Sequence, residues 1–375
     1  MPSSAPPVRE ILLVAGEASG DLHAGILAEA LRRRRPDLAL VGTGGPRMAA
    51  AGVEMLEQIE GVVGFVEVIR HVPAHLRLLR RLTARLRSGR VGLVILIDYP
   101  GFNLRVAAAA RAAGVPVLYY ITPQVWAWKR GRVRTMAEVI TKAACILPFE
   151  PPMLREAGID ATFVGHPLLD RALALPTRAE ARARLGLDGA GEVLALFPGS
   201  RAVEIRRHLA DFVAVARRLE ALRPGLRVIL SAAPTVALRD DEVPFPVIRA
   251  ASFDVLRAAD VALCKSGTTT LEAAVADCPC AIVYRTSALS YAIARRLVHI
   301  PHIGLLNIVA GREVAPEFVQ DAFRPERVAD ALAPLFAADG AERRAMLAGL
   351  AEVRAELGTA GASERVAEMA AGMVP

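Results

Sequence analysis

Four cysteines in 375 residues (Cys145, Cys264, Cys278 and Cys280) are too few to staple a chain of this length, which excludes a disulfide framework. Cys278-Pro279-Cys280 lacks the two-residue spacer and the second ligand pair of a structural zinc site. No Asp-x-Asp pair stands anywhere to hold a divalent cation for sugar transfer, so neither a metal nor a cofactor is expected. Aromatics make up only 5%, poor for base stacking, and no nucleic-acid motif accompanies the basic charge, so no nucleic-acid partner is expected. No apolar run approaches the ~20 residues of a membrane-spanning helix. Residues Met1 to Arg9 carry no apolar signal-peptide core, and the expected location is cytoplasmic. Lysine is also scarce: Lys129, Lys142 and Lys265 are all there is, and arginine supplies the rest of a net charge of +7. Such a balance suits phosphorylated substrates or an anionic membrane surface, although an Ala/Arg-biased composition gives the same totals.

What is abundant is apolar residue, 53% of the chain, enough to bury large cores in two domains. Short apolar runs at Ile11–Ala15, Leu38–Val41, Val91–Ile97, Val117–Ile121, Ala144–Leu147 and Ala161–Val164 read as buried strands with helical patterns between them. After a charged stretch, Arg178 to Asp188, the alternation restarts at Val193–Phe197, Val228–Leu230, Val261–Cys264 and Ala281–Tyr284. Strands alternating with helices mean parallel sheets covered on both faces. The expected fold is α/β: two doubly wound Rossmann-like domains facing across a cleft at their carboxyl ends. We set the domains at 1–165 and 166–340, with 341–375 a helical segment that packs back on the first domain. Gly42-Thr43-Gly44 lacks the third glycine of a dinucleotide fingerprint, because Arg47 stands in its place.

Four places can carry chemistry. Phe197-Pro198-Gly199-Ser200-Arg201 joins a strand to a helix starting near Ala202, with Ser200 the expected N-cap. Free N–H groups, the helix dipole and the Arg201 fork make an anion seat; the alternative is an ordinary turn with a surface arginine. Ser266-Gly267-Thr268 repeats this arrangement after another strand, and Glu272, one turn on, can bridge two vicinal ribose hydroxyls; plain N-capping is the alternative. Together the two seats suggest a nucleoside diphosphate. In the first half, Asp98 leaves Val91–Ile97 at the cleft end of that strand, either as a general base or as the cap of a helix near Asn103. Trp126 and Trp128 form a stacking wall or pack their own loop, and His166 reads as a hinge or core residue. Beyond Val62–Ile69, the segment Arg70–Arg90 sets Leu76, Leu79, Leu82 and Leu86 among seven arginines. That reads equally as a membrane-surface helix or as a core helix with a solvated basic face.

Read as strings, these residues resemble the lipid-A-disaccharide synthases, glycosyltransferases of the two-Rossmann-domain (GT-B) architecture. The match rests on Val14 to Asp21, Gly44-Gly45-Pro46-Arg47-Met48, Ile97 to Asn103, Pro123 to Trp128 and Leu147-Pro148-Phe149-Glu150. It continues through Gly165-His166, Pro198 to Arg201, Ser266-Gly267-Thr268 with Leu271-Glu272, and Asn307 with Ala310 to Glu313. Leu306 departs from an expected proline, and Glu317-Phe318-Val319-Gln320 is a variant of a Glu-Leu-Leu-Gln string. The resemblance implies transfer of 2,3-diacylglucosamine from UDP-2,3-diacylglucosamine to the 6-hydroxyl of 2,3-diacylglucosamine 1-phosphate. It implies inversion without a metal, at the cytoplasmic face of the inner membrane of a Gram-negative bacterium, and a homodimer formed by exchange of C-terminal segments. Carried over residue by residue, it makes Asp98 the general base and Arg201 the clamp on the leaving UDP. Substrate and nucleotide contacts fall to Gly16, Glu17, Ser19, Gly199, Ser200, Ser266, Gly267, Thr268, Glu272, Asn307, Glu317 and Gln320. Two other readings remain: a UDP-GlcNAc 2-epimerase of the same fold, acting on a soluble substrate without detergent, and a catalytically idle nucleotide-sugar-binding protein.

Overall fold

The computed structural model describes residues 10–58, 72–128, 131–189, 191–233, 236, 238–249, 251–297 and 300–374. The apolar segment Val62–Ile69 and Arg70 lie outside them. The chain divides into two compact units, Met1–Asp170 with Thr359–Pro375, and Arg171–Gly358.

The first unit holds a seven-stranded parallel sheet: β1 (Glu10–Ala15), β2 (Ala39–Gly44), β3 (Glu54–Gln58), β4 (Val91–Ile97), β5 (Val117–Tyr120), β6 (Lys142–Cys145) and β7 (Asp160–Phe163). Their spatial order is β3-β2-β1-β4-β5-β6-β7. All of β1 and β4 is buried, which is why their sequences are unbroken apolar runs and not alternating ones. Successive residues still serve opposite faces. Leu12, Val14, Val94 and Leu96 meet the helices Val72–Leu86 and Pro100–Ala112, whereas Ile11, Leu13, Leu93, Ile95 and Ile97 meet the helix Ala18–Arg34. Val366, Ala367 and Ala370 of the last helix, Ala362–Ala371, complete that second face. Strand β2 runs past the expected end at Val41 and through Gly42-Thr43-Gly44. A Cβ on Gly42 would stand 2.3 Å from the Leu13 carbonyl, so glycine permits close strand packing there.

The second unit repeats the design with β8 (Val193–Phe197), β9 (Arg227–Ser231), β10 (Val247–Ile248), β11 (Val261–Lys265), β12 (Cys280–Tyr284) and β13 (Glu317–Val319), in the order β10-β9-β8-β11-β12-β13. Both sheets reverse direction of winding once, between β1 and β4 and between β8 and β11. Those switch points leave a crevice past the strand ends where doubly wound sheets take ligands. The helix Ala341–Glu356 belongs to this unit. The four cysteines are buried free thiols.

Candidate functional site

At the first switch point the chain turns under strain. Asp98 and Tyr99 follow β4 with φ of 49° and 50°, left-handed backbone that costs a non-glycine residue energy. The helix behind them begins at Pro100 with Tyr99 at the cap position, so Asp98 is not its cap and the helix starts earlier than the sequence suggests. The turn is held from below. Buried Asn103 donates its amide to the Asp98 carbonyl at 2.7 Å and to the Ile97 carbonyl at 3.2 Å. Tyr119 donates its hydroxyl to the same Asp98 carbonyl at 2.7 Å. Burial, followed by the Asp98 charge, pushes the Tyr119 phenol well above its ordinary value, so it stays a donor. Tyr99 shares a 2.7 Å hydrogen bond with His75, and its ring occupies the space where a Gly16 side chain would be, 2.2 Å from an added Cβ.

Gly16 therefore comes against Asp98's neighbour because β1 and β4 pair Ala15 with Ile97. Glu17 follows, half-buried at the cap of the helix Ala18–Arg34, and Ser19 is exposed on its first turn. Asp21, buried, accepts from the backbone N–H of Gly45 (2.8 Å), Arg47 (3.0 Å) and Met48 (3.0 Å) and ties the β1 and β2 loops together. Between those loops lies a cavity of about 350 Å³ lined by Gly16, Glu17, Leu22, Gly45 and Arg47 among others. His166 is buried in the core of this unit, where its Nδ1 accepts from Leu168 N–H at 3.1 Å; burial, then His23, lowers its pKa to about 3. Trp126 packs edge-on against Phe149 and donates to the buried Glu150, 3.3 Å away. Burial raises the Glu150 carboxyl to about 7 against the hydrogen bonds it accepts.

At the second switch point, β8 ends in a turn where Gly199 takes φ +135°. Arg201, not Ser200, stands at the cap position of the helix Ala202–Leu222, and its side chain makes no capping hydrogen bond. The reason is Glu204: from the first turn its carboxylate reaches back to accept Ser200 N–H at 3.0 Å, so the cap comes from inside the helix. Its other oxygen takes Lys265 Nζ at 3.0 Å, from the end of the neighbouring strand β11. Burial raises the Glu204 carboxyl, but Lys265, the Ser200 N–H and Arg201 outweigh it and hold the pKa below the ordinary value. Lys265 also flanks Gly267, so one ammonium borders both expected anion seats. Ser266 donates to the Ile303 carbonyl at 2.8 Å, and exposed Thr268 stands at the cap of Thr269–Val275 without capping it. Neither hydroxyl acts as an N-cap.

Glu272 is buried and accepts Arg171 at 2.9 Å, while Arg171 lies over the Phe253 ring. Asn307 and Glu317 bond each other at 2.8 Å. Asn307 Oδ1 accepts Val314 and Ala315 N–H, and Glu317 accepts Ile303 and Gly304 N–H, so both shape a loop. Gln320 clasps Thr286 through both its N–H (2.6 Å) and its carbonyl (3.1 Å). His208 receives Arg285 N–H at 2.9 Å and meets the Glu204 carbonyl at 2.8 Å, joining that clasp to the Arg201 helix. The sequence reading missed Glu204, Lys265, Arg171, His208, Asn103 and Asp21. A glutamate in the first turn behind a Pro-Gly loop was the one available signal, because first-turn carboxylates reach back to free amides. Asn103 is five residues from Asp98, but the partners of Lys265, Arg171, His208 and Asp21 lie tens of residues away.

The family model described as lipid-A-disaccharide synthetase matches residues 11–367. The chain is 43% identical over 374 residues to a lipid-A-disaccharide synthase of Myxococcus xanthus, covering 97% of each chain. Among solved structures it is similar to the glycotransferase of kitacinnamycin, with a TM-score of 0.64, 17% identity and 99% and 100% of the two chains covered. It is also similar to the UDP-GlcNAc 2-epimerase of Neisseria meningitidis bound to UDP-GlcNAc, with a TM-score of 0.65, 12% identity and 97% and 100% covered. These two likenesses are of fold.

Proposed function

This chain belongs to the lipid-A-disaccharide synthase family, and we propose that Asp98 and Arg201 carry its reaction. The protein is a UDP-sugar glycosyltransferase of GT-B fold. It transfers 2,3-diacylglucosamine from UDP-2,3-diacylglucosamine to the 6-hydroxyl of 2,3-diacylglucosamine 1-phosphate, giving the β-1,6 disaccharide 1-phosphate and UDP. The epimerase reading falls away, because its support is fold likeness at 12% identity against a family match over nearly the whole chain.

In the proposed mechanism the acceptor hydroxyl gives its proton to the Asp98 carboxylate. Its oxygen attacks the anomeric carbon from the face opposite the diphosphate. The bond from that carbon to the diphosphate oxygen breaks, and UDP leaves with the electron pair. Arg201 and the N-terminus of the Ala202–Leu222 helix counter the charge that grows on UDP. Glu272 meets the ribose, and Ser266, Gly267 and Thr268 line the path of the diphosphate. Asn307, Glu317 and Gln320 act by shaping the loops around it. The observation that carries this reading is the strained turn at Asp98, held at its carbonyl by Asn103 and Tyr119. Strain of this kind persists where the surroundings over-determine it, as they do at a working carboxylate.

Among the described residues no helix is long and apolar enough to cross a membrane. The proposed location is peripheral, on the cytoplasmic face of the inner membrane, where both acylated substrates lie. Leu78, Leu82 and Leu86 of the Val72–Leu86 helix are core residues, so its apolar face is not the docking face. Arg85 and Arg90 pair with buried Glu10, and Arg81 pairs with Glu57. Exposed Arg77, Arg80 and Arg87, with Leu76 (42% exposed), are what this helix offers to anionic headgroups. The proposed dimer exchanges the helix Ala362–Ala371, whose apolar side seats on Leu27 and Leu31; light scattering on the intact protein tests it.

The deciding experiment is mass spectrometry of products from both acylated sugars in detergent, with wild type beside Asp98→Ala. A diacylated disaccharide phosphate plus UDP from the wild type alone supports the assignment. Matching loss of UDP affinity in Asp98→Ala would sink the base role.

A further inference from the structure

The cavity between the β1 and β2 loops is lined by charges of both signs: Glu17 and Asp21 come from the first loop and helix, Arg47 from the second loop, with Gly16, Gly44 and Gly45 beside them. The Arg47 guanidinium is exposed and makes no hydrogen bond or ion pair with any described residue, unlike Arg81, Arg85 and Arg90 of the same unit.

Its anchorage, by contrast, is tight. Asp21 accepts the Arg47 N–H at 3.0 Å, and Gly25 of the facing helix leaves a gap that an added Cβ would close to 3.0 Å from the Arg47 carbonyl. Gly45 is equally constrained, since a Cβ there would meet Asp21 Oδ2 at 2.7 Å. The Asp21 carboxylate is occupied by three backbone amides. A fixed backbone, a long side chain with an unspent charge and a cavity of about 350 Å³ at its foot describe one end of a ligand site. The planar fork of arginine matches a phosphate bidentately.

We propose that Arg47 holds the phosphate of the acceptor sugar and sets the preference for a phosphorylated acceptor. The proposal rests on the reading of the first unit as the acceptor's, with Asp98 its base. The cavity is bipolar in the sense such an acceptor requires. Hydroxyl and amide donors of the sugar suit the Glu17 side, and the dianionic phosphate suits the Arg47 side. Gly16 links this cavity to the Asp98 turn, because the Tyr99 ring abuts Gly16 directly. The diphosphate of the donor has its own cations, Arg201 and Lys265, in the second unit.

The test compares wild type, Arg47→Ala and Arg47→Lys with two acceptors, 2,3-diacylglucosamine 1-phosphate and the same sugar without phosphate. Arg47→Ala should raise KM for the phosphorylated acceptor about 10- to 100-fold, the range expected for one charge-assisted contact, with kcat and the donor KM little changed. Arg47→Lys should recover part of the loss, and the unphosphorylated acceptor should not distinguish the variants. Equal loss on both acceptors, an unchanged KM for the phosphorylated one, or a rise in the donor KM alone would overturn the proposal. A parallel titration with soluble glucosamine 1-phosphate, followed by NMR, separates this proposal from the reading beneath it. Wild-type binding that Arg47→Ala abolishes supports the phosphate site even where no disaccharide forms, in which case the reaction is misread. Disaccharide formation with binding indifferent to Arg47 leaves the reaction standing and refutes the site.

Discussion

Asn103→Ala should disable the enzyme without touching its substrates. In the wild type, Asp98 and Tyr99 both occupy left-handed backbone, at roughly 1–2 kcal/mol each. What offsets that is chiefly the pair of 2.7 Å hydrogen bonds onto the Asp98 carbonyl, each contributing about 1 kcal/mol net. Removing the Asn103 amide deletes one of them and strips donors from the Ile97 and Val14 carbonyls at 3.2 and 3.3 Å. Under-satisfied buried carbonyls and the vacated volume together should destabilise the first unit by about 2–3 kcal/mol. The turn then relaxes toward right-handed backbone and swings the Asp98 carboxylate away. A displacement near 1 Å should lower kcat by about 100-fold. UDP affinity should hold within about twofold, because its seats lie on the second sheet. The assay is steady-state disaccharide formation beside calorimetric UDP binding. A kcat within a few-fold of wild type would refute the argument that this turn is held under strain for the reaction. Weakened UDP binding would refute the separation of the two sites.

Lys265→Met should take from Glu204 its ion-pair partner in a site where both side chains are only 16% exposed, leaving the Ser200 N–H and Arg201 to hold the charge. We expect about 3 kcal/mol of lost stability and a matching loss of UDP affinity, at the low end for a buried pair. Adding Glu204→Gln should recover part of it, and strictly additive losses in the double-mutant cycle would deny the coupling. Arg201→Ala should weaken UDP binding and turnover together, by roughly 2–5 kcal/mol in transition-state terms, and unchanged UDP affinity would place Arg201 elsewhere. Glu150 has its carboxyl raised to about 7 by burial, so the folded state binds the extra proton. Its contribution is present below the ordinary pKa near 4.5 and is lost as pH climbs through about 7, up to roughly 3 kcal/mol in all. Glu150→Gln should therefore flatten the fall in melting temperature between pH 5 and 8, and an unaltered slope would show that another group titrates. Replacing Arg77, Arg80 and Arg87 together by Ser should reduce binding to anionic vesicles, with binding at high salt lost in both proteins. Persistent low-salt binding would move the docking surface elsewhere.

Much of the second unit's site was legible because its signals are local. A strand, a Pro-Gly turn and an arginine at a helix start lie within nine residues, Val193 to Arg201, and a strand followed by Ser266-Gly267-Thr268 before a helix recurs from Val261 to Thr268. The capping assignments failed there for an equally physical reason. Ser200 is a good capping residue, but Glu204 supplies the acceptor from the first turn, and that preference is invisible without Lys265 to neutralise it. The basic helix illustrates the same limit. Its leucine stripe was plain, yet only the buried Glu10 shows that Arg85 of this helix and Arg90 just beyond it are spent internally. The apolar runs of β1 and β4 announced a parallel sheet covered on both faces, while β10 and β13, of two and three residues, were too short to carry a pattern.

Sequence by itself determined the class of fold, the order of the motifs and the chemistry each loop can offer, because these follow from periodicity and residue type along the chain. Tertiary structure decided which of those residues are free to act. Asn307 and Glu317 are taken up by backbone amides of 303–304 and 314–315, His166 by Leu168, and Asp21 by three amides of the neighbouring loop, whereas the Arg47 guanidinium has no partner among the described residues. Pairings of this kind join strand ends that only the winding of the sheet makes neighbours. Hydrogen bonds and ion pairs act over a few ångströms, and distance along the chain does not encode them.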